Sequence, residues 1–105
     1  MKLFVLDNGT LELDMAWLVL NPKPATVDNK HPQADWVTIP TYTVLVEHPD
    51  LGWVLFDGTC HPEWESRWPE ALQPIFPYRA EERQYLPMQL EQLNLKMSDI
   101  DIVVI

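Results

Sequence analysis

Asp57, Cys60, His61, Glu63 and Glu65 crowd into one short stretch, DGTCHPEWE. Thiol, imidazole and carboxylate groups can bind a metal ion or move a proton. A zinc site needs three or four convergent donors, drawn from recurring Cys and His spacings. Here there is no second cysteine and no histidine four residues on from His61. The other histidines, His31 and His48, each precede a proline in a loop. The cluster therefore makes no complete metal site, and His61 reads as a loop cap or surface residue. A Gly-rich phosphate loop, a G-x-S-x-G elbow and an H-E-x-x-H helix are all missing. No catalytic residue and no metal ligand is assigned within the chain.

Asp57 stands apart from its neighbours. It ends the apolar run WVLFD, and Gly58-Thr59 opens a loop behind it. In layered α/β proteins, sites collect at the carboxyl ends of strands. An aspartate there can hold a loop or orient a metal ligand, although aspartate also serves turns for structural reasons alone. Trp17, Trp36, Trp64, Trp68, Phe76 and Tyr78 lie in or beside loops, where aromatic rings either line a pocket or pack the loop down. Glu81, Glu82 and Glu91 read as a solvated helix face.

These residues need elements to position them. LFVLDNGTLEL reads as a β-hairpin turning at Asn8-Gly9. Met15 to Leu20 is a short apolar run, either a strand or a buried loop. Residues 21–36 form a long loop with three prolines. Long ordered loops commonly lie over binding surfaces. Thr38 to Pro49 is a strand, Asp50-Leu51-Gly52 a turn, and Trp53 to Asp57 the returning strand. Tyr42 to Val46 and Trp53 to Phe56 are nearly continuous apolar runs, so both faces of this sheet are expected to be covered. Residues 58–78 hold four prolines and no sustained period. Glu81 to Leu93 reads as a helix with Leu86, Leu90 and Leu93 on one face. Pro87 marks a kink or the first turn of a shorter helix, and Asn94 the C-cap. A strand, Ile102 to Ile105, follows. A helix between two strands implies a crossover onto one sheet. The last strand is then expected to be interior, with its continuation missing.

Composition narrows the function classes. With 105 residues and 47% hydrophobic content, the chain is one domain or a piece of one. Its net charge of −9 repels phosphate, which argues against nucleic acid and anionic membrane as partners. No apolar run reaches the ~20 residues of a membrane span, and MKLFVLDNG is too short an apolar stretch for a signal peptide. The single cysteine points to a reducing, cytoplasmic setting.

A further set of residues carries a resemblance. These are Ile39-Pro40 and Tyr42; Val44-Leu45, His48-Pro49 and Gly52-Trp53; Leu55-Phe56-Asp57; and Cys60-His61-Pro62-Glu63 with Arg67-Trp68-Pro69. Glu81-Glu82, Leu86-Pro87, Gln89-Leu90, Asp99-Ile100-Asp101 and Val103-Val104 complete it. In this order and spacing the chain resembles the N-terminal portion of the metallo-β-lactamase fold, nearest the N-acyl homoserine lactonase group. The likeness runs over essentially all 105 residues. It implies an α/β protein: the N-terminal half of an αββα sandwich, with a mixed sheet, hairpins, long loops and one helix before the last strand. Residues 1–105 would form a single incomplete domain.

The resemblance also implies a zinc-dependent hydrolase opening the lactone ring of N-acyl homoserine lactones with water activated at two zinc ions. In that family the strand matching Ile102 to Ile105 leads into a Ser-His-x-His-x-Asp-His run that begins the metal site. None of those ligands is present here, so this chain alone is expected to be inactive and to bind no zinc. Asp57 matches the aspartate of the family's Asp-Thr-Gly turn, which supports the metal-binding loops. Gly58 and Thr59 stand in the opposite order here. Met15, Trp17, Trp64, Trp68 and Phe76 are the candidate walls of the acyl-chain pocket. The implied partners are the acyl lactone and a missing C-terminal segment, or a second copy of the chain. A non-catalytic binding or assembly module is the alternative, as is a metallo-hydrolase acting on another ester or thioester.

Overall fold

The computed structural model describes residues 1–20 and 22–105. Asn21, the first residue of the expected long loop, lies outside the described residues. Five strands form one sheet in the order β4-β1-β2-β3-β5. They are β1 (Lys2–Asp14), β2 (Trp36–His48), β3 (Gly52–Phe56), β4 (Tyr78–Arg79) and β5 (Ile102–Val104). Two short helices, α1 (Trp64–Arg67) and α2 (Leu86–Glu91), and three single 3₁₀ turns are the other elements among the described residues.

The β2–β3 hairpin and the crossover from β3 to β5 fall where the sequence placed them. Gly52 closes the hairpin with a φ of 78°, and a Cβ there would lie 2.1 Å from a carboxylate oxygen of Asp101. That carboxylate accepts the Trp53 N–H at 2.8 Å, tying the start of β5 to the start of β3. The two strands then run parallel, with Val54, Leu55 and Phe56 opposite Ile102, Val103 and Val104.

The helix of the crossover is shorter than its leucine spacing predicts. A 3₁₀ turn at Glu82–Gln84 comes first, and Pro87 lies in the opening turn of α2. Proline fits there because a first-turn N–H has no intrahelical partner to lose. Asn94 adopts a φ of 57° and ends the helix. Its N–H donates to Glu91 and that of Leu95 to Leu90, so the left-handed residue returns two carbonyls to partners.

The expected hairpin at Asn8-Gly9 does not form. Residues 2–14 are one strand, antiparallel to β2 throughout, and the register slips by one residue between Asp7 and Thr10. Asn8-Gly9 is a β-bulge. Its glycine needs the same positive φ as a tight turn, here 98°. Asn8 is fully buried, yet its side chain is paired at both ends. Its Nδ2 donates to the Gln84 carbonyl at 3.0 Å, and its Oδ1 accepts the Thr43 hydroxyl at 2.9 Å. The Tyr78 hydroxyl donates to the Asn8 carbonyl. The bulge thus fastens β4 and the turn before α2 to the middle of the sheet.

Met15 to Leu20 is neither strand nor buried loop. Asp14 accepts the Ala16 N–H at 2.9 Å and starts a 3₁₀ turn, Met15–Trp17. Trp17, Leu18, Val19 and Leu20 are exposed.

The core lies on one side of the sheet. Leu6, Leu45 and Leu55 meet Leu86 and Leu90 of α2, with Phe4, Trp53, Leu93, Leu95 and Ile100 packed around them. The expectation that both sheet faces are covered is corrected. On the opposite face the register aligns Leu3 with Val46, Val5 with Val44, Val44 with Phe56, and Phe56 with Val104. Leu3, Val5, Phe56, Ile102 and Val104 are exposed there. The interior placement of the last strand is corrected too: β5 is an edge strand, and Val103 on its helix side is 53% exposed. The shortest dimension of the chain, 20 Å, holds one sheet and one helical layer.

The bulge yields a stability prediction. A Cβ on Gly9 would sit 2.3 Å from the Arg79 carbonyl oxygen, with φ already in the left-handed region. Gly9→Ala is expected to cost about 2 kcal/mol or more in urea unfolding followed by tryptophan fluorescence. An unchanged midpoint would mean that the bulge does not hold β4 to the sheet.

Candidate functional site

β3 ends at Phe56, and Asp57 takes a φ of 70°. That conformation is costly for a residue with a Cβ, though aspartate tolerates it better than most. The Asp57 N–H still donates to Val104 at 2.7 Å, while its carboxylate accepts the Gly58 N–H at 2.9 Å. The chain therefore swings off the sheet at Asp57, into the loop that carries Thr59, Cys60 and His61.

Two cavities flank this loop. One, of about 420 Å³, is lined by Thr41, Val44, Phe56, Asp57, Thr59 and Cys60 among others. The second, of about 440 Å³, opens towards α2 between Leu55, Cys60, Leu86, Met97 and Val103. Cys60 lines both.

Burial pushes the Cys60 thiol up to about 11, so it is protonated at neutral pH. A protonated thiol is a poor nucleophile and a poor metal ligand. His61 is exposed, and its Nδ1 accepts the Glu63 N–H at 3.0 Å. This is the loop-capping role that its position predicts. The Glu63 carboxylate lies 3.6 Å from the Arg67 guanidinium, on solvent. Among the described residues, no three His, Cys, Asp or Glu side chains come together to hold a metal ion.

The aromatic candidates fall into two pairs. Trp17 meets Phe76 edge-on at 5.0 Å, and Trp64 meets Trp68 edge-on at 5.3 Å. Trp64 also lines a separate cleft with Tyr78 and Tyr85. Met15 is held at the start of its 3₁₀ turn by donation to the Asp35 carbonyl at 2.7 Å. None of these five residues lines either cavity beside the Asp57 loop.

Over 99% of its length the chain is 35% identical to the N-acyl homoserine lactonase AiiB of Agrobacterium fabrum (strain C58). It is 33% identical over the same share to AiiB of Rhizobium rhizogenes (strain K84). The chain is similar to one part of each of these lactonases. It spans 38% of the length of each of these lactonases. No protein-family model matches the sequence.

The fold agrees with that of solved lactonase structures. One is a B. thuringiensis AiiA mutant with N-decanoyl-L-homoserine bound at its active site. It superimposes with a TM-score of 0.70 at 15% identity, over 97% of this chain and 38% of that one. A quorum-quenching N-acyl homoserine lactone hydrolase gives 0.64 at 16% identity, over 97% and 36%. The mixed sheet with its single crossover helix is thus the N-terminal half of the lactonase, or metallo-β-lactamase, fold.

Against that fold, the donors at the Asp57 loop do not fit the dinuclear zinc centre that the resemblance implies. Asp57 spends one carboxylate oxygen on its own turn, Cys60 is held as a thiol, and His61 caps a loop. Two groups in the first cavity escaped the sequence reading. The hydroxyl oxygens of Thr41 and Thr59 are buried, that of Thr59 against the Tyr78 side chain and that of Thr41 without a hydrogen-bond partner. Thr41 is one of three threonines in β2, and nothing in the sequence sets it apart.

The Cys60 environment is directly measurable. Iodoacetamide should alkylate the folded chain at pH 8 roughly 100-fold more slowly than a urea-denatured control, with the rate still rising near pH 10. A plateau below pH 9 would contradict the buried thiol.

Proposed function

We propose that this chain is the N-terminal portion of a hydrolase that opens the lactone ring of N-acyl homoserine lactones. It contributes half of the sheet framework and part of the substrate wall, and further polypeptide contributes the metal ligands. The carrying observation is the bare sheet face of Leu3, Val5, Phe56, Ile102 and Val104, in a chain that aligns with 38% of its lactonase relatives. An apolar face of this extent on a soluble protein marks an interface. A second sheet packed on it at ~10 Å would give the four-layer sandwich.

Within this reading, zinc is held by residues outside the chain. Asp57, at the end of β3, supports those ligands from behind. Met15, Trp17, Trp64, Trp68 and Phe76 wall the acyl pocket. The exposed Trp17 and its partner Phe76 offer the apolar, edge-packed surface that an alkyl chain would lie against. One free cysteine suits a reducing, cytoplasmic compartment. No helix of the described residues is long and apolar enough to cross a membrane.

The test is a fusion of the 105 residues to the part of the Agrobacterium fabrum lactonase that the alignment leaves uncovered. The fusion should retain zinc through dialysis and hydrolyse an N-acyl homoserine lactone in a pH-stat. The isolated chain should do neither. Turnover with stoichiometric zinc in the isolated chain would overturn the proposal. A zinc-loaded fusion that cleaves linear esters but leaves the lactone ring intact would overturn the substrate assignment.

A further inference from the structure

β5 has only three residues, and its own sequence does not say where it belongs on β3. Alternation of apolar and polar residues normally selects a register, because a slip of one residue turns every side chain to the other face. Residues 102–105 read Ile-Val-Val-Ile, apolar at every position. A slip therefore leaves apolar groups on both faces. Ile100 packs at the margin of the leucine core just before the strand. That contact is apolar and carries no direction. A directional contact is needed to hold Val54, Leu55 and Phe56 opposite Ile102, Val103 and Val104.

Asp101 supplies it. Its carboxylate accepts the Trp53 N–H at 2.8 Å, and its own N–H donates to the Trp53 carbonyl at 2.9 Å. Asp101 thus grips both backbone groups of one residue of β3. Its carboxylate sits in a notch that exists because Gly52 has no side chain, since a Cβ there would lie 2.1 Å from the oxygen. The neighbouring Asp99 is committed elsewhere. Its carboxylate accepts the Lys96 N–H at 2.7 Å and closes the 3₁₀ turn Met97–Asp99. Asp101 is exposed, so its contact adds little to overall stability. A charge-assisted, directional bond still decides between registers whose apolar burial is nearly equal.

The register matters at the other end of the strand. There the Asp57 N–H donates to the Val104 carbonyl at 2.7 Å. The start of β5 is keyed to Trp53, and its end comes level with the Asp57 turn. A slip of one residue would move that end by about 3.3 Å along the sheet. Reacting groups tolerate far less, since a displacement of about 1 Å costs on the order of 100-fold in rate.

We propose that Asp101, seated in the notch left by Gly52, is a positioning residue: it sets the register of β5 on β3, and so the height at which polypeptide following β5 meets the Asp57 turn. The inference rests on the lactonase-fragment reading above. It adds the residue that aligns this half with the part that carries the chemistry.

The test makes Asp101→Ala and Asp101→Asn in the 105-residue chain and in the fusion to the uncovered part of the Agrobacterium fabrum lactonase. In the chain, alanine should speed exchange of the Asp57 amide at least about 10-fold, while the amides of β1 and β2 keep their rates. In the fusion, alanine should lower kcat for lactone hydrolysis about 10-fold and change KM by less than about twofold. Asparagine keeps an oxygen acceptor and should recover most of both losses. Leu6→Val, on a strand separated from β5 by β2 and β3, should lower Tm and leave kcat as it was. An Asp57 amide indifferent to Asp101→Ala overturns the register key. A fusion that hydrolyses lactone with kcat unchanged by Asp101→Ala overturns the positioning role and leaves the lactonase reading standing. An equal kcat loss from Leu6→Val also overturns it, because the effect is then a general loosening. If the unsubstituted fusion neither holds zinc nor hydrolyses lactone, the lactonase reading falls and the positioning role with it, whatever the Asp57 amide shows.

Discussion

A single layer of leucines holds this chain together. Leu6, Leu45 and Leu55 on the sheet close against Leu86 and Leu90 of α2, and Leu45 and Leu90 are fully buried. Burying a leucine is worth roughly 2–3 kcal/mol. The six-residue α2 is too short to be stable without that contact. On the sheet's second apolar face Leu3, Val5, Phe56, Ile102 and Val104 are exposed. That asymmetry governs the structure: one face is packed against α2, and the other presents large apolar side chains to solvent. The exposed β5 follows from the same asymmetry, because Ile102 and Val104 project onto that second face.

The bulge at Asn8-Gly9 is the second constraint. It shifts β1 by one residue against β2, which reverses the side-chain alternation beyond it. It also gathers the otherwise separate segments around Tyr78 and Gln84 onto one buried amide. The Asp7 carboxylate joins from the surface. The Gln84 side-chain amide, helped by the Gly9 N–H, holds its pKa below the ordinary value. The loop from Thr59 to Tyr78 therefore returns to a fixed point on the sheet, which keeps Thr59 and Cys60 beside the end of β3.

What could be read in the sequence was decided locally. The turn at Asp50 to Gly52, the strand ending at Asp57, the first-turn proline and the Asn94 cap each depend on neighbours within a few residues. Asn8-Gly9 did not yield to that logic, because a tight turn and a bulge ask the same left-handed φ of glycine. Only Thr43, 35 positions away, separates the two. The apolar runs on β2 and β3 were legible as two-sided, but among the described residues only one side carries a packed layer. Asp57 was visible at its strand end. The buried Thr41 hydroxyl was not, since lacking a partner is a property of the assembled surroundings rather than of any motif.

On the proposed reading, the chemistry belongs with polypeptide outside these 105 residues. The Asp57 loop is built from committed groups: a carboxylate closing its own turn, a thiol held protonated and an imidazole capping a backbone N–H. These leave a scaffold whose sheet has one open face. The most direct test of that account is the accessibility of the face itself, read with a cysteine at Val5 (Val5→Cys) in a Cys60→Ser background. In the isolated chain this thiol should react with a maleimide at nearly the rate of a free peptide thiol. In the zinc-loaded fusion with the rest of a lactonase it should react at least about 100-fold more slowly, the protection a packed core gives. Equal rates in the two proteins would show that the face stays open to water, and would contradict the account.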